Sequence, residues 1–185
     1  MPLKEIDEDA VVLDACVLVP MPLCDTLLRC AEKPALFRAV WSDETLEEVK
    51  RTLVKRGFSL LQAEYRLDAM RRSFPGACVE VSSSQLASVP EIPDTRDRHV
   101  VAAAMEEQAQ GLVTFNLRDF PRTVLAPLRI QVYSPDEFLS LQFRRNPKRV
   151  LDILEAQASA TRQRREAVLE RMRTGLPGFV ALVEN

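Results

Sequence analysis

Short apolar, β-branched runs alternate along this chain with helix-like stretches, and that alternation limits the fold more than any other feature. Strands separated by helices pair in parallel, and a parallel sheet is covered by helices on both faces. The spacing predicts strands over residues 11–14, 36–41, 78–81, 112–115 and 129–133. Helices are predicted over 23–31, 44–55, 60–73, 94–110 and 135–141. Pro20 and Pro22 interrupt the chain before the first helix, and Ser42 or Asp43 suits the N-cap of the second. Leu46, Val49 and Leu53 form that helix's apolar stripe, and Gly57 ends it. Residues 82–93 read as a loop or short helix, and Ser134-Pro135 opens a later helix. From residue 144 the character changes: Arg144, Arg145, Lys148 and Arg149 begin a basic, helix-like segment over 147–173, with a last short helix near Pro177. The expectation is an α/β domain over 1–143 and a helical extension over 144–185.

Composition removes several classes. No apolar run approaches the roughly 20 residues needed to span a bilayer. The opening MPLKEIDEDA is acidic and lacks the apolar core of a secretory signal, so a cytoplasmic location is expected. Cys16, Cys24, Cys30 and Cys78 match no zinc-ligand spacing, and they read as reduced, mostly buried small apolar residues. A net charge of −2 is not that of a simple nucleic-acid binder, but a local acidic site lowers net charge without excluding a basic groove elsewhere.

In parallel sheets, sites form beyond the carboxyl ends of the strands. Asp14 ends the first strand as one charge among apolar neighbours, with a turn-capping role as its alternative. Asp97 opens the helix DRHVVAAAM, and Asp94 lies just before it; helix capping is the alternative for both. Asp119 follows the strand LVTF, while Thr114 and Asn116 flank that strand's end. Glu48 is preferred to Glu47, which precedes Arg51 by the four residues of a surface ion pair. His99 suits a structural or substrate-facing role. Carboxylates gathered at one place repel one another, and a hard divalent cation such as Mg²⁺ or Mn²⁺ relieves that repulsion. Such an ion also polarises phosphate oxygens and activates water, which points to phosphodiester hydrolysis.

The motifs LDACVLVP, SDETLEEVKRTLVKR, PDTRDRHVVAAAM and LVTFNLRDFP, in this order over residues 11–138, resemble those of the PIN-domain nucleases. The resemblance is greatest to VapC-type toxins with a helical C-terminal domain. It implies a three-layer α/β/α PIN-like fold with a parallel central sheet and a Mg²⁺- or Mn²⁺-dependent endoribonuclease. Asp14, Glu48, Asp97 and Asp119 would be catalytic and metal-holding, and Asp94, Thr114 and Asn116 supporting. Arg96 and Arg98 flank the acids and are expected, from that position, to contact substrate or a partner's acidic residues. Asn116 stands where some relatives carry Asp. Members of that group are usually held inactive by a cognate antitoxin and are often homodimers. The alternatives are a catalytically inactive PIN-like binding module and a metal-dependent DNA nuclease. A phosphoaspartate phosphatase is disfavoured, because Ala15-Cys16 follows Asp14 where that chemistry needs a second Asp.

Overall fold

The computed structural model describes residues 9–185, so most of the acidic opening lies outside the described residues. The strands are β1 (Ala10–Leu13), β2 (Arg38–Ser42), β3 (Cys78–Val79), β4 (Gly111–Val113) and β5 (Gln131–Tyr133). They form one sheet in the order β3-β2-β1-β4-β5, and every neighbouring pair is parallel. β1, the first strand in sequence, lies at the centre.

Side chains obey the two-residue period of a strand. Val11 and Leu13 of β1, Ala39 and Trp41 of β2, and Val113 of β4 enter one apolar cluster. Ala10, Val12, Val40, Leu112 and Val132 enter the other. The first cluster is completed by α1 (Ala15–Leu18), α2 (Met21–Ala31), α3 (Asp43–Lys55) and α4 (Leu60–Ser73). The second is closed by α6 (Arg98–Glu106), whose residues 100–104 are all fully buried, with α5 (Ser83–Ser88) and α7 (Arg122–Leu125) beside it. Helices therefore cover both faces, as the alternation requires. Burying a side chain the size of Leu13 or Trp41 contributes roughly 2–3 kcal/mol, so the two clusters are the main source of stability.

Four more helices follow: α8 (Pro135–Arg145), α9 (Pro147–Ala160), α10 (Arg165–Met172) and α11 (Pro177–Glu184). Their apolar stripes, including Leu139, Leu154, Leu169 and Phe179, join the first cluster, with α9 against α2 and α11 against α8. Two polar ties fix this packing. Thr26 donates to Gln157 Oε1 at 2.8 Å in a buried link between α2 and α9. Asp136 of α8 accepts the Gly178 and Phe179 N–H groups at 3.1 and 2.7 Å, capping α11 from outside that helix.

Several elements differ from the sequence expectation. The single helix expected over 147–173 is broken between α9 and α10, where Arg162 takes a left-handed φ of 54°. No Gly or Pro marks that break; the Gln163 N–H returning to the Ala158 carbonyl at 2.8 Å makes it. The helix expected over 94–110 begins instead as a 3-10 turn at Thr95–Asp97 and then becomes α6. Strands β3 and β4 end before the expected residues, because the chain leaves the ladder at 80 and 114 to build loops. The expected Glu47–Arg51 pair is replaced by Lys50–Glu47 at 2.6 Å and Arg51–Glu44 at 2.7 Å, both reachable from the same exposed helix face.

Candidate active site

The register decides where polar side chains collect. Leu13 pairs with Val113, so the next residues, Asp14 and Thr114, leave the sheet side by side. The Asp14 N–H still bonds to the Val113 carbonyl at 3.1 Å, and the Thr114 N–H to that of Tyr133 at 3.0 Å. β2 ends at the same rim with Ser42, the N-cap of α3, whose hydroxyl accepts the Thr45 N–H. The first acid is thus held by backbone on a rigid edge.

Asp14 is 5% exposed. It occupies the N-cap position of α1 but makes no capping bond with its side chain. Its Oδ2 instead accepts the Thr114 hydroxyl at 2.6 Å and the Cys16 thiol at 3.1 Å. Oδ1 receives no donor among the described residues and is left to the adjoining cavity. Thr114 Oγ1 also accepts the Asn116 N–H at 2.9 Å, and the Phe115 N–H points to Cys16 Sγ at 3.2 Å. Burial, followed by the Asp14 charge, pushes the Cys16 thiol up to about 12. Cys16 is consequently a neutral donor to Asp14 rather than a nucleophile.

The cavity has a volume of about 530 Å³, and Asp14, Glu48 and Asp97 all line it. Glu48, Arg51, Thr52 and Lys55 reach it from α3 at the i, i+3, i+4 and i+7 positions of one helix face. Leu46, Val49 and Leu53 turn the opposite way into the core. Glu48 Oε1 lies 3.4 Å from His99 Nε2, and His99 Nδ1 shares a 2.8 Å hydrogen bond with Ser42 Oγ. This Ser42–His99–Glu48 chain ties the helix carboxylate back to the sheet edge. The sequence reading gave His99 a structural or substrate-facing role; the structure gives it contact with Glu48.

Asp97 is the N-cap of α6, again without a capping bond from its side chain. Its carboxyl is raised from 3.8 to about 6, first by burial and then by the charges of Asp14, Asp94, Asp119 and Glu48. Separate parts of the chain therefore press negative charge on one group. Asp119 contributes to that field but does not line the cavity; its N–H closes a turn onto the Asn116 carbonyl at 3.0 Å. Asn116 does line the cavity. Asp94 caps the 3-10 turn through the Arg96 N–H and pairs with the Arg96 guanidinium at 2.6 Å, which holds its carboxyl below the usual range. Arg96 remains on the cavity wall, whereas Arg98 donates to the carbonyls of Leu86, Val89 and Pro90 beneath α5.

Among the described residues, no three His, Cys, Asp or Glu side chains are gathered tightly enough to enclose an ion by themselves. Mg²⁺, however, is commonly held by one or two carboxylates with water completing its shell. The open oxygen of Asp14 and the carboxylate repulsion that raises Asp97 fit a hard divalent cation in that manner. The C-terminal arginines take no part in the cavity wall; Arg173 pairs with Glu170 and Glu184, and Arg165 with Glu155.

A central parallel sheet with carboxylates collected at its carboxyl rim defines an α/β protein with its candidate site beyond the strand ends. The PIN domain profile matches residues 10–118, and the chain belongs to that family. The VapC50 C-terminal domain profile matches residues 135–185, which makes it a VapC-like member with the corresponding helical appendage. A relative named "Putative ribonuclease VapC50", from Mycobacterium tuberculosis, is 50% identical over 44 residues. That match covers 24% of this chain and 26% of the relative, about a quarter of the relative's length. No solved structure matches significantly. Among the described residues, no helix is long and apolar enough to cross a membrane.

Proposed function

We propose that the protein is an endoribonuclease dependent on Mg²⁺ or Mn²⁺, that it hydrolyses RNA phosphodiester bonds, and that it is the toxin of a type II toxin–antitoxin system. The observation that carries this reading is the convergence of Asp14, Glu48 and Asp97 on one cavity beside the cations Lys55 and Arg56. Asp14, Glu48 and Asp97 would hold the ion directly or through water, with Asp119 adding to the negative field. When bound, the ion supplies Lewis-acid stabilisation of the phosphate and acidification of a water.

The chain's own residues supply the order around it. Thr114 and Cys16 fix one Asp14 oxygen and leave the other for the ion or its water. His99 holds Glu48 toward the same space, so the carboxylate loses little side-chain freedom on binding. Lys55 and Arg56, which form no ion pair among the described residues, balance the charge of substrate phosphates. Asn116 offers a neutral polar group on the wall.

Toxin function requires a partner that silences the site. Leu61 and Tyr65 on α4, one turn apart, are 77% and 74% exposed, and Phe58 just before that helix is also exposed. A stripe of this size supports docking of a cognate antitoxin or a second copy in a homodimer. A cytoplasmic location accompanies this reading, since RNA and the antitoxin are met there.

The test is cleavage of pooled RNA and matched single-stranded DNA by wild type and Asp14→Asn, with Mg²⁺, Mn²⁺ or EDTA. RNA cleavage that needs the metal and Asp14 is expected. Cleavage in EDTA, or full activity of Asp14→Asn, would overturn the mechanism. Cleavage of DNA alone would make it a DNA nuclease, and RNA binding without cleavage an inactive module. For the toxin role, expression should arrest growth, and a small DNA-binding protein encoded next to it should relieve the arrest.

A further inference from the structure

We infer that Phe115 is a nucleobase-stacking residue, and that an unpaired RNA strand crosses the cavity from Phe115 to Lys55 and Arg56. This rests on the proposed RNA cleavage and adds how the strand is held. Phe115 is 42% exposed although it borders a buried carboxylate. It lines the same cavity as Asp14, Glu48 and Asp97. Leaving that much of an aromatic ring in water forgoes burial energy that a flat apolar ligand would recover.

The backbone that carries the ring is also held in place. The Phe115 N–H is bonded to Cys16 Sγ, and the next N–H, of Asn116, to the Thr114 hydroxyl. On one side, ring atoms Cζ and Cε1 stand 3.6 and 3.7 Å from where a Cβ on Gly175 would lie. Gly175 follows α10, so the C-terminal helices provide the backing and the cavity receives the free surface. A half-open ring on a fixed backbone, beside the proposed phosphodiester site, suits base stacking, which tolerates any sequence because every base has a π face.

Lys55 and Arg56 complete the path. They lie at the end of α3, seven and eight residues beyond Glu48, or about 10 Å along the helix. At that distance they meet a phosphate flanking the one at the carboxylates. A strand with one base on Phe115 and a flanking phosphate at the end of α3 is anchored on both sides of the reacting bond.

The test is fluorescence anisotropy with a labelled single-stranded RNA octamer of mixed sequence, in EDTA so that nothing is cleaved. It compares full-length wild type, Phe115→Ala, Phe115→Leu, Phe115→Trp and the Lys55→Ala/Arg56→Ala pair, each first checked for a native circular dichroism spectrum. Phe115→Ala and Phe115→Leu should each weaken binding about tenfold, with Phe115→Trp close to wild type. The slope of log K against log salt should not change in these three, and should fall by about 1.4 in the Lys55/Arg56 pair. Wild-type affinity in Phe115→Leu would overturn stacking, since leucine keeps an apolar side chain there but has no ring. Loss in Phe115→Trp equal to that in Phe115→Ala would overturn it too. If wild type neither binds nor cleaves RNA, the nuclease reading fails first, an outcome distinct from wild-type binding that ignores Phe115.

Discussion

Replacing Asp97 by Asn should stabilise the metal-free protein while removing its activity. The Asp97 carboxyl is raised from 3.8 to about 6 by burial and by neighbouring carboxylates. Its charged form is therefore disfavoured in the folded state. The stabilising effect of protonation is fully present below the unfolded value and is lost as pH rises through about 6. Fully enclosed, a shift of that size would correspond to about 3 kcal/mol. Asp97 is only half-buried, and solvent screening reduces the effect to about 1 kcal/mol. For a chain of this length that is a gain of about 3 °C in Tm. Thermal melting in EDTA should show the gain for Asp97→Asn at about pH 7.5 and little or none at about pH 4. Added Mg²⁺ should raise the Tm of wild type and not that of Asp97→Asn, because only the protein that binds the ion is stabilised by it. A lower Tm for Asp97→Asn at neutral pH, or the same gain at both pH values, would refute the electrostatic reasoning.

Other expectations are more local. Thr114→Val removes a fully buried hydroxyl that serves both Asp14 and the Asn116 N–H, and should cost about 1–3 kcal/mol in urea unfolding while lowering RNA cleavage at least tenfold; no change in either would contradict the geometry. Asp136→Ala leaves the Gly178 and Phe179 N–H groups without their carboxylate and should lower stability by about 1–2 kcal/mol, read as a drop of about 4 °C in Tm. With its thiol raised to about 12, Cys16 should resist iodoacetamide at about pH 8 in the native metal-free protein and react once the chain is unfolded in urea; equal labelling in both states would show that the thiol is not held as described.

The sheet was legible because its strands are short apolar runs whose alternate residues enter two different cores, as Val11 and Val12 do. Asp14 stood out for a related reason, as one charge at the end of such a run. The preference for Glu48 over Glu47 rested on an expected Glu47–Arg51 pair; Arg51 instead pairs with Glu44 and lines the cavity beside Glu48, while Glu47 is taken up by Lys50. Other features depend on contacts far apart in sequence. The cysteines were read as buried and apolar; Cys24 and Cys30 are buried, but Cys16 and Cys78 are only partly so. Cys16 contacts Thr114 at a separation of 98 residues, and only its place two residues after Asp14 offered a hint. His99 meets Glu48 from another helix, a pairing no periodicity encodes. Helices α1 and α7 have four residues each, too few for an amphipathic repeat to register. Phe115 was read as the last residue of its strand, whereas the chain leaves the ladder after Val113 and carries Phe115 into the loop.

The most direct measurement of the central claim, that Asp14, Glu48 and Asp97 share one divalent cation, is a Mn²⁺ titration followed by electron paramagnetic resonance. The metal-free wild-type protein should quench the free-ion signal until its site is filled. Asp14→Asn and Asp97→Asn, with native folds confirmed by circular dichroism, should leave that signal nearly unchanged. Wild type that takes up no Mn²⁺, or variants that take up as much as wild type, would contradict it.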